Sequence, residues 1–313
     1  MTLAKYGLAL VASATIFFTY SIKSLCDSGQ KICVQDSIGA MVCLEAPASR
    51  VVSLAPSLTE LMFALGAGNK LVGRTTKCDF PPCVKRIMDV GAYTNPDFER
   101  LITAQPDLVL APKAGINREF IERLRCFKIP VYVDDSSNTE DIEHLIHDVG
   151  TMVGVDKEAD RVIADIKIHL GKIRKTIAGI KRPSVLLVIG LRPLVVAGPK
   201  SFLGSLVKEA GGSNIVEGTK VEYPKFDIEE VIRRDPEVIF MLDKECRADN
   251  CIKEWDNHPT LKAVKNKRVY VLDADIVSRP GPRFIEALET LVKLLHPQIF
   301  TQSSSSLSVS VRI

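Results

Sequence analysis

Apolar residues along this chain recur in two alternating rhythms. The runs Arg50–Leu54, Leu108–Leu110, Val131–Val133, Ser184–Ile189, Val238–Phe240 and Val269–Val271 are nearly unbroken, as strands covered on both faces require. Between them lie stretches with helical spacing and recognisable ends. Ser57 and Ser201 are placed to accept the free amides of a first helical turn, and Asp97 and Asp227 likewise. Gly66, Gly68, Gly211 and Gly212 close two of these helices, and Pro106 and Pro236 stop two others just before the next strand. Strands alternating with helices predict parallel-rich α/β architecture. From Asp156 to Ile180 the rhythm changes: Ala159, Val162, Ile163, Ile166, Ile168, Leu170, Ile173 and Ile177 recur at near-helical spacing with no proline among them. This predicts one helix of about 25 residues, on the order of 35 Å long.

The pattern also repeats. Tyr93, Asp97, Glu99 and Pro106 are matched by Tyr223, Asp227, Glu229 and Pro236, each 130 positions later. The stretch Ser57–Val72 is echoed by Ser201–Val216, and Val131–Val133 by Val269–Val271, each of these last two before an acidic loop. The chain is therefore read as two similar lobes, over residues 31–155 and 181–298, joined by a helix over 156–180, with a Ser-rich, disordered tail over 299–313.

The first residues depart from this pattern. Lys5 precedes an apolar run from Gly7 to Ile22, and Lys23 closes it, the layout of a secretory signal over residues 1–26. The run is shorter than the roughly 20 residues a spanning helix prefers. Cys26 is not expected to carry a lipid, because Leu25 before it is too large. The eight cysteines agree with export: Cys33 with Cys43, Cys78 with Cys83, and Cys246 with Cys251 each bracket a short loop that a disulfide can close. Cys126, on an amphipathic helix, is expected to be a buried free thiol.

Composition narrows the function. Of 313 residues, 46% are hydrophobic and 25% charged, and the net charge of +3 is spread without a basic block, which argues against nucleic acid as a partner. No G-x-S-x-G, P-loop or Rossmann glycine signature occurs, so no catalytic residue is assigned. No third ligand joins His144 and His147, so no metal site is assigned either. A metal-dependent or thiol redox enzyme built on the paired cysteines is the alternative from another class, and it needs thiols that disulfides would consume.

Arg50–Ser57 with Thr59 and Glu60, then Gly66 and Gly68, Pro106–Leu110, and Arg279–Arg283 together resemble the periplasmic binding proteins for iron-siderophores, haem and cobalamin. The resemblance runs from about Lys31 to Pro297 and is strongest to the cobalamin-binding members. It implies a class III binding-protein fold, two α/β lobes on one long helix. It also implies a periplasmic, monomeric protein that holds a metal chelate as cargo, needs no cofactor, and delivers to the membrane subunits of an ABC importer. Tyr93 and Tyr223 fall where those proteins place aromatic residues against the ligand, and Asp275 and Arg279 match a ligand loop of the second lobe. Two tryptophans of the corrinoid pocket are tyrosines here, and Leu194–Val195 lacks an expected aromatic, so haem or a ferric siderophore stays open as cargo.

Flat phenol rings from equivalent loops suit a planar macrocycle, and each could instead merely pack its loop. Ser57, in the Ala55–Ser57 turn, and Lys113–Asn117 are further rim candidates. Asp275 and Arg279 are expected either at the ligand's polar rim or in a salt bridge within their own loop. By the resemblance, Glu99 and Glu229 dock the importer's membrane subunits; a helix-dipole role is the simpler alternative.

Overall fold

The computed structural model describes residues 31–242 and 248–301; the expected signal segment, Cys246 and the tail beyond Thr301 lie outside the described residues. The first lobe opens with β1 (Ile32–Gln35) and β2 (Met41–Leu44), an antiparallel hairpin. It continues through β3 (Val51–Ser53), α1 (Pro56–Ala64), β4 (Leu71–Arg74), β5 (Met88–Asp89), α2 (Phe98–Thr103), β6 (Leu108–Pro112), α3 (Arg118–Cys126), β7 (Val131–Asp134) and α4 (Thr139–Val153). Its sheet is wholly parallel in the order β5-β4-β3-β6-β7.

Helix α5 (Asp156–Thr176) leads into the second lobe: β8 (Ser184–Leu191), β9 (Leu194–Val196), α6 (Phe202–Glu209), β10 (Ser213–Asn214), α7 (Ile228–Arg234), β11 (Val238–Leu242), α8 (Ala248–Asp256), α9 (Lys262–Lys265), β12 (Val269–Leu272), α10 (Ala274–Val277), α11 (Phe284–Leu295) and α12 (Pro297–Thr301). Here the parallel order is β10-β8-β11-β12, with β9 folded back antiparallel on β8. Replacing β10, β8, β11 and β12 by β4, β3, β6 and β7 reproduces the first sheet, so the sequence repeat is a repeat of topology.

Each sheet keeps an outer apolar core of its own, one around Leu54, Val109 and Leu124, the other around Leu186, Met241 and Trp255. The inner core is continuous across both lobes. Leu58 and Met62 of α1, Ile146 of α4, Ile166 and Leu170 of α5, Leu206 of α6 and Phe284 and Leu288 of α11 belong to one buried cluster. Helix α5 is thus cemented to both lobes rather than hinged between them. Its 21 residues span about 30 Å at about 1.5 Å per residue, a little shorter than expected. Ile168 faces solvent, because it falls off the stripe that Ile166 and Leu170 bury. At the other end, α12 carries ordered chain to Thr301, past the expected start of the tail.

Local chemistry explains most element ends. Asp97 caps α2 through bonds from the Glu99 and Arg100 amides, and Ser201 caps α6 through Gly204. Asp227 holds the cap position of α7 with no side-chain bond. Ser57 is not a cap: the rigid φ of Pro56 suits the first helical position, which moves the cap to Ala55 and draws Ser57 into the helix.

Cys33 and Cys43 face each other across the hairpin and form the disulfide. The pairing of Cys78 with Cys83 is not formed. Cys78 is buried with its Sγ 3.3 Å from the Thr75 hydroxyl, whereas Cys83 sits in a short 3-10 helix over Pro82–Arg86 and is exposed. Cys126 is free, as expected, but exposed rather than buried, since Ile121 and Leu124 take the buried stripe of α3.

At the C-terminal cap of α11, His296 is 1% exposed; its Nε2 lies 3.1 Å from the Ala210 carbonyl and its Nδ1 has no partner among the described residues. Burial, aided by the charges of Arg268 and Arg182, pulls this imidazole below its ordinary pKa. The unfolded chain therefore takes up the proton first as pH falls below about 6.5, and the folded state loses stability through that window. Urea unfolding of the wild type and His296→Leu should show a stability difference that shrinks in the wild type's disfavour between pH 7.5 and pH 5. A difference independent of pH would contradict this.

Candidate ligand-binding cleft

Loops that leave the carboxyl ends of both sheets converge on one cleft of about 640 Å³, where open α/β sheets place their ligands. The first lobe supplies Ala55–Ser57 after β3, Lys77 and Asp79 after β4, Tyr93 after β5, Pro112 and Ala114 at the end of β6, and Asp134–Ser137 at the end of β7. The second supplies Phe202, Glu222 and Tyr223, and Asp275 with Ser278–Pro280 after β12. Tyr93, Tyr223, Asp275, Arg279 and Ser57 thus border the same hollow. Lys113–Asn117 contributes only through Ala114 among its own residues.

Tyr93 stands on a tight turn closed by the Asp97 amide bonding to the Val90 carbonyl, 2.7 Å. Its hydroxyl donates to the Ala114 carbonyl at 2.8 Å. Gly115, at φ +86°, is needed beneath the ring, since a Cβ there would come within 2.4 Å of Tyr93 Cε1. Tyr223 rides on a segment zipped to β9, with Val196 bonded to Pro224 and Phe226 to Leu194. Although Tyr223 is 42% exposed, that exposure opens into a crowded concavity. Burial, the charge of Glu222 and the nearby Tyr93 push its phenol up to about 12. Burial and the charge of Asp134 raise Tyr93 as well. The phenols lie close enough to sense each other, one from each lobe.

Arg279 borders the cleft, and its guanidinium pairs both within its own loop and across to the first lobe. Nη1 meets Glu60 Oε1 at 2.5 Å and Asp79 Oδ1 at 2.9 Å, both of the first lobe, while Nη2 meets Asp275 Oδ1 at 2.9 Å. Arg283 adds a contact of 3.6 Å to Glu60 Oε2 and stacks 4.0 Å over the Phe80 ring. Gly281 closes the seam: a Cβ on it would lie 3.2 Å from the Ser57 carbonyl oxygen. Burial opposes the charge on Arg279, but bonds to Asp79 and Glu60 outweigh it and hold its pKa above the ordinary value. Burial drives Glu60 up, and its arginine partners offset only part of that.

Five carboxylates border the cleft, Asp79, Asp134, Asp135, Glu222 and Asp275, against Lys77 and the already paired Arg279. Asp135 is engaged by Lys113. The cleft is acidic, which a net charge of +3 conceals. Of its borders, the reading of the sequence passed over Asp79, Asp134, Glu222 and Phe202; only the acidic loop after Val131–Val133 gave a signal. Phe202 adds a third aromatic side chain to the borders of the cleft.

Glu99 and Glu229 lie on the exposed first turns of α2 and α7, and neither has an ion-pair partner among the described residues. Neighbouring Glu230, by contrast, is bound to Arg233 and Arg234. No described helix is long and apolar enough to cross a membrane.

The chain belongs to the periplasmic binding protein family, whose model matches residues 51–276. The vitamin B12-binding protein of Vibrio parahaemolyticus serotype O3:K6 is 29% identical over 242 residues, 77% of this chain and 87% of that one. Among solved structures, the periplasmic vitamin B12 binding protein of Vibrio cholerae superposes with a TM-score of 0.72 at 27% identity, covering 80% of this chain and 98% of that one. A periplasmic haem-binding protein from Roseiflexus sp. RS-1, in apo form, superposes with a TM-score of 0.71 at 25% identity, covering 80% and 99%. The fold is therefore the two-lobed, helix-braced one that the sequence predicted.

The seam predicts strong coupling. Arg279→Met strands a buried carboxylate, which costs about 3–5 kcal/mol, whereas combining it with Glu60→Gln removes both charges and costs less than the two single substitutions together. Denaturant unfolding of the three variants measures this; strictly additive losses would mean that the pair does not join the lobes.

Proposed function

We propose that this protein is the extracytoplasmic substrate-binding component of an ABC importer, exported by the signal at its start, and that its cargo is cobalamin or a related corrinoid. The observation that carries the reading is the placing of Tyr93 and Tyr223, from equivalent positions of the two lobes, on one cleft. Two phenols offer large flat area with little conformational entropy to lose, which suits the faces of a macrocycle. At about 640 Å³ the cleft is of ordinary ligand size, so a large guest would be held by its faces with its edge left open. Its acidity favours a guest whose rim carries amides around a cationic metal. The names of the relatives point the same way.

Haem is the second reading, favoured by the haem-binding structural relative and by the availability of tyrosine as an iron ligand. Against it stand the raised phenols, which resist becoming phenolate, and the carboxylates, which would repel haem's propionates. Glu99 and Glu229, unpaired and one per lobe, are proposed to dock the importer's two membrane subunits, with complementary charge setting register and on-rate.

Titration of the purified protein with cyanocobalamin and with haemin, followed by absorbance, separates the readings: saturable binding of cyanocobalamin is expected. Tyr93→Ala and Tyr223→Ala should each weaken it by about 2 kcal/mol, the scale of an aromatic hot spot. Haemin bound with a phenolate-to-iron band, and no cyanocobalamin bound, would transfer the assignment to haem.

In cells, Glu99→Ala with Glu229→Ala should leave binding intact and impair uptake. Undiminished uptake would remove the docking role.

A further inference from the structure

Asp134 is the most deeply placed polar group on the cleft. It is 4% exposed, yet it borders the cavity. Its backbone is fixed by the last rung of the β6–β7 ladder, opposite Pro112, and by the Lys113 amide bonding to its carbonyl at 2.7 Å. The position is set by the sheet, not by a loose loop. One carboxylate oxygen, Oδ1, accepts from the Ser136 amide at 3.0 Å and the Ser136 hydroxyl at 2.5 Å. The other, Oδ2, has no hydrogen-bond partner among the described residues. It is also absent from the fully enclosed unpartnered atoms, which among the described residues are Arg74 Nε and His296 Nδ1. Oδ2 therefore reaches accessible space, and the space that Asp134 borders is the cleft.

Oδ2 is thus a carboxylate oxygen held in place by its sister's bonds and presented to whatever fills the cleft. An ionised carboxylate accepts hydrogen bonds and donates none. We propose that Asp134 is the specificity-determining acceptor of the cleft, taking an amide N–H from the rim of the guest and rejecting a guest that brings a carboxylate to the same place. The inference rests on the corrinoid reading above and narrows it to corrinoids that carry amide side chains.

Protonation should modulate this recognition. Burial pushes the Asp134 carboxyl up to about 6, with the Ser136 bonds opposing and the charges of Asp135 and Asp141 adding. The groups that sense it are Asp135 in its own loop, Asp141 on α4, Tyr132 on β7 and Tyr93 after β5, while Lys113 is engaged by Asp135 and senses Glu222 from the other lobe. Well above pH 6 the charged acceptor is present; as pH falls through that value the carboxyl takes up a proton and can donate instead. The preference for amides should fade over the same range.

The test compares dicyanocobinamide, whose side chains are amides, with dicyanocobyrinic acid, whose side chains are carboxylates, at pH 7.5 and pH 5. It uses the wild type and Asp134→Asn, because asparagine keeps an oxygen for both Ser136 bonds while removing the charge. The wild type should prefer the amide ligand by about tenfold or more at pH 7.5, with a smaller preference at pH 5. In Asp134→Asn the preference should be reduced already at pH 7.5, with less change between the two pH values. A wild type that binds cobinamide with the same preference and pH profile as the variant overturns this inference alone. The wild type's own pH profile gives a reading that needs no substitution, and a preference unchanged from pH 7.5 to pH 5 counts against the inference too. A wild type that binds neither corrinoid overturns the corrinoid reading and the inference with it.

Discussion

The cleft exists because two lobes are held at a fixed separation, and the contact that fixes it in front is the ion pair between Arg279 and Glu60. Glu60 is 5% exposed on α1 of the first lobe, and Arg279 reaches it from the second across a seam packed by Gly281 on Ser57. Burying such a pair adds little net stability, since desolvation takes back most of the Coulombic gain. What it adds is register, because any slippage of one lobe past the other would pull the buried Glu60 away from both Arg279 and Arg283. At the back, α5 shares one continuous apolar core with both lobes. A body stapled at two places, once by packing and once by charge, has little freedom to swing, which favours a small closure over a wide hinge. Tyr93 and Tyr223 border one cleft although their loops belong to different lobes, so the distance between them depends on how the lobes are held together.

Much of this was legible in the chain. The constant offset between the two halves revealed the duplication, because equivalent helices need the same caps and stops at equivalent places. Unbroken apolar runs marked the parallel strands, and the proline-free stretch marked α5. The failures have physical reasons as well. Ser57 looks like a cap until Pro56, whose ring suits the first helical position, draws it inside the helix. Cys78 and Cys83 bracket a short loop, but one side chain turns into the core and the other stays out. Arg279 was legible as important, though its partners Glu60 and Asp79 lie some two hundred positions away. Asp134 was visible only as part of an acidic loop, since nothing local says that one of its oxygens is bonded and the other open.

The same scaffold accepts chemically different guests, for haem-binding and B12-binding proteins superpose on this chain about equally well. Fold therefore does not choose the cargo. That choice rests on what borders the cleft: an excess of carboxylates and two phenols kept neutral by burial. On the corrinoid reading proposed above, an anionic guest would meet the carboxylates of Asp134 and Glu222, which have no ion-pair partner among the described residues, and a metal seeking a phenolate would meet hydroxyls reluctant to ionise. An uncharged rim around a cationic centre meets neither obstacle.

A crystal structure of the protein grown with cyanocobalamin tests this most directly. The account predicts the corrin lying between the Tyr93 and Tyr223 rings, one on each face, with the Arg279–Glu60 contact kept and the lobes little displaced. A corrin bound away from either ring, or lobes parted at the Arg279–Glu60 seam, would contradict it.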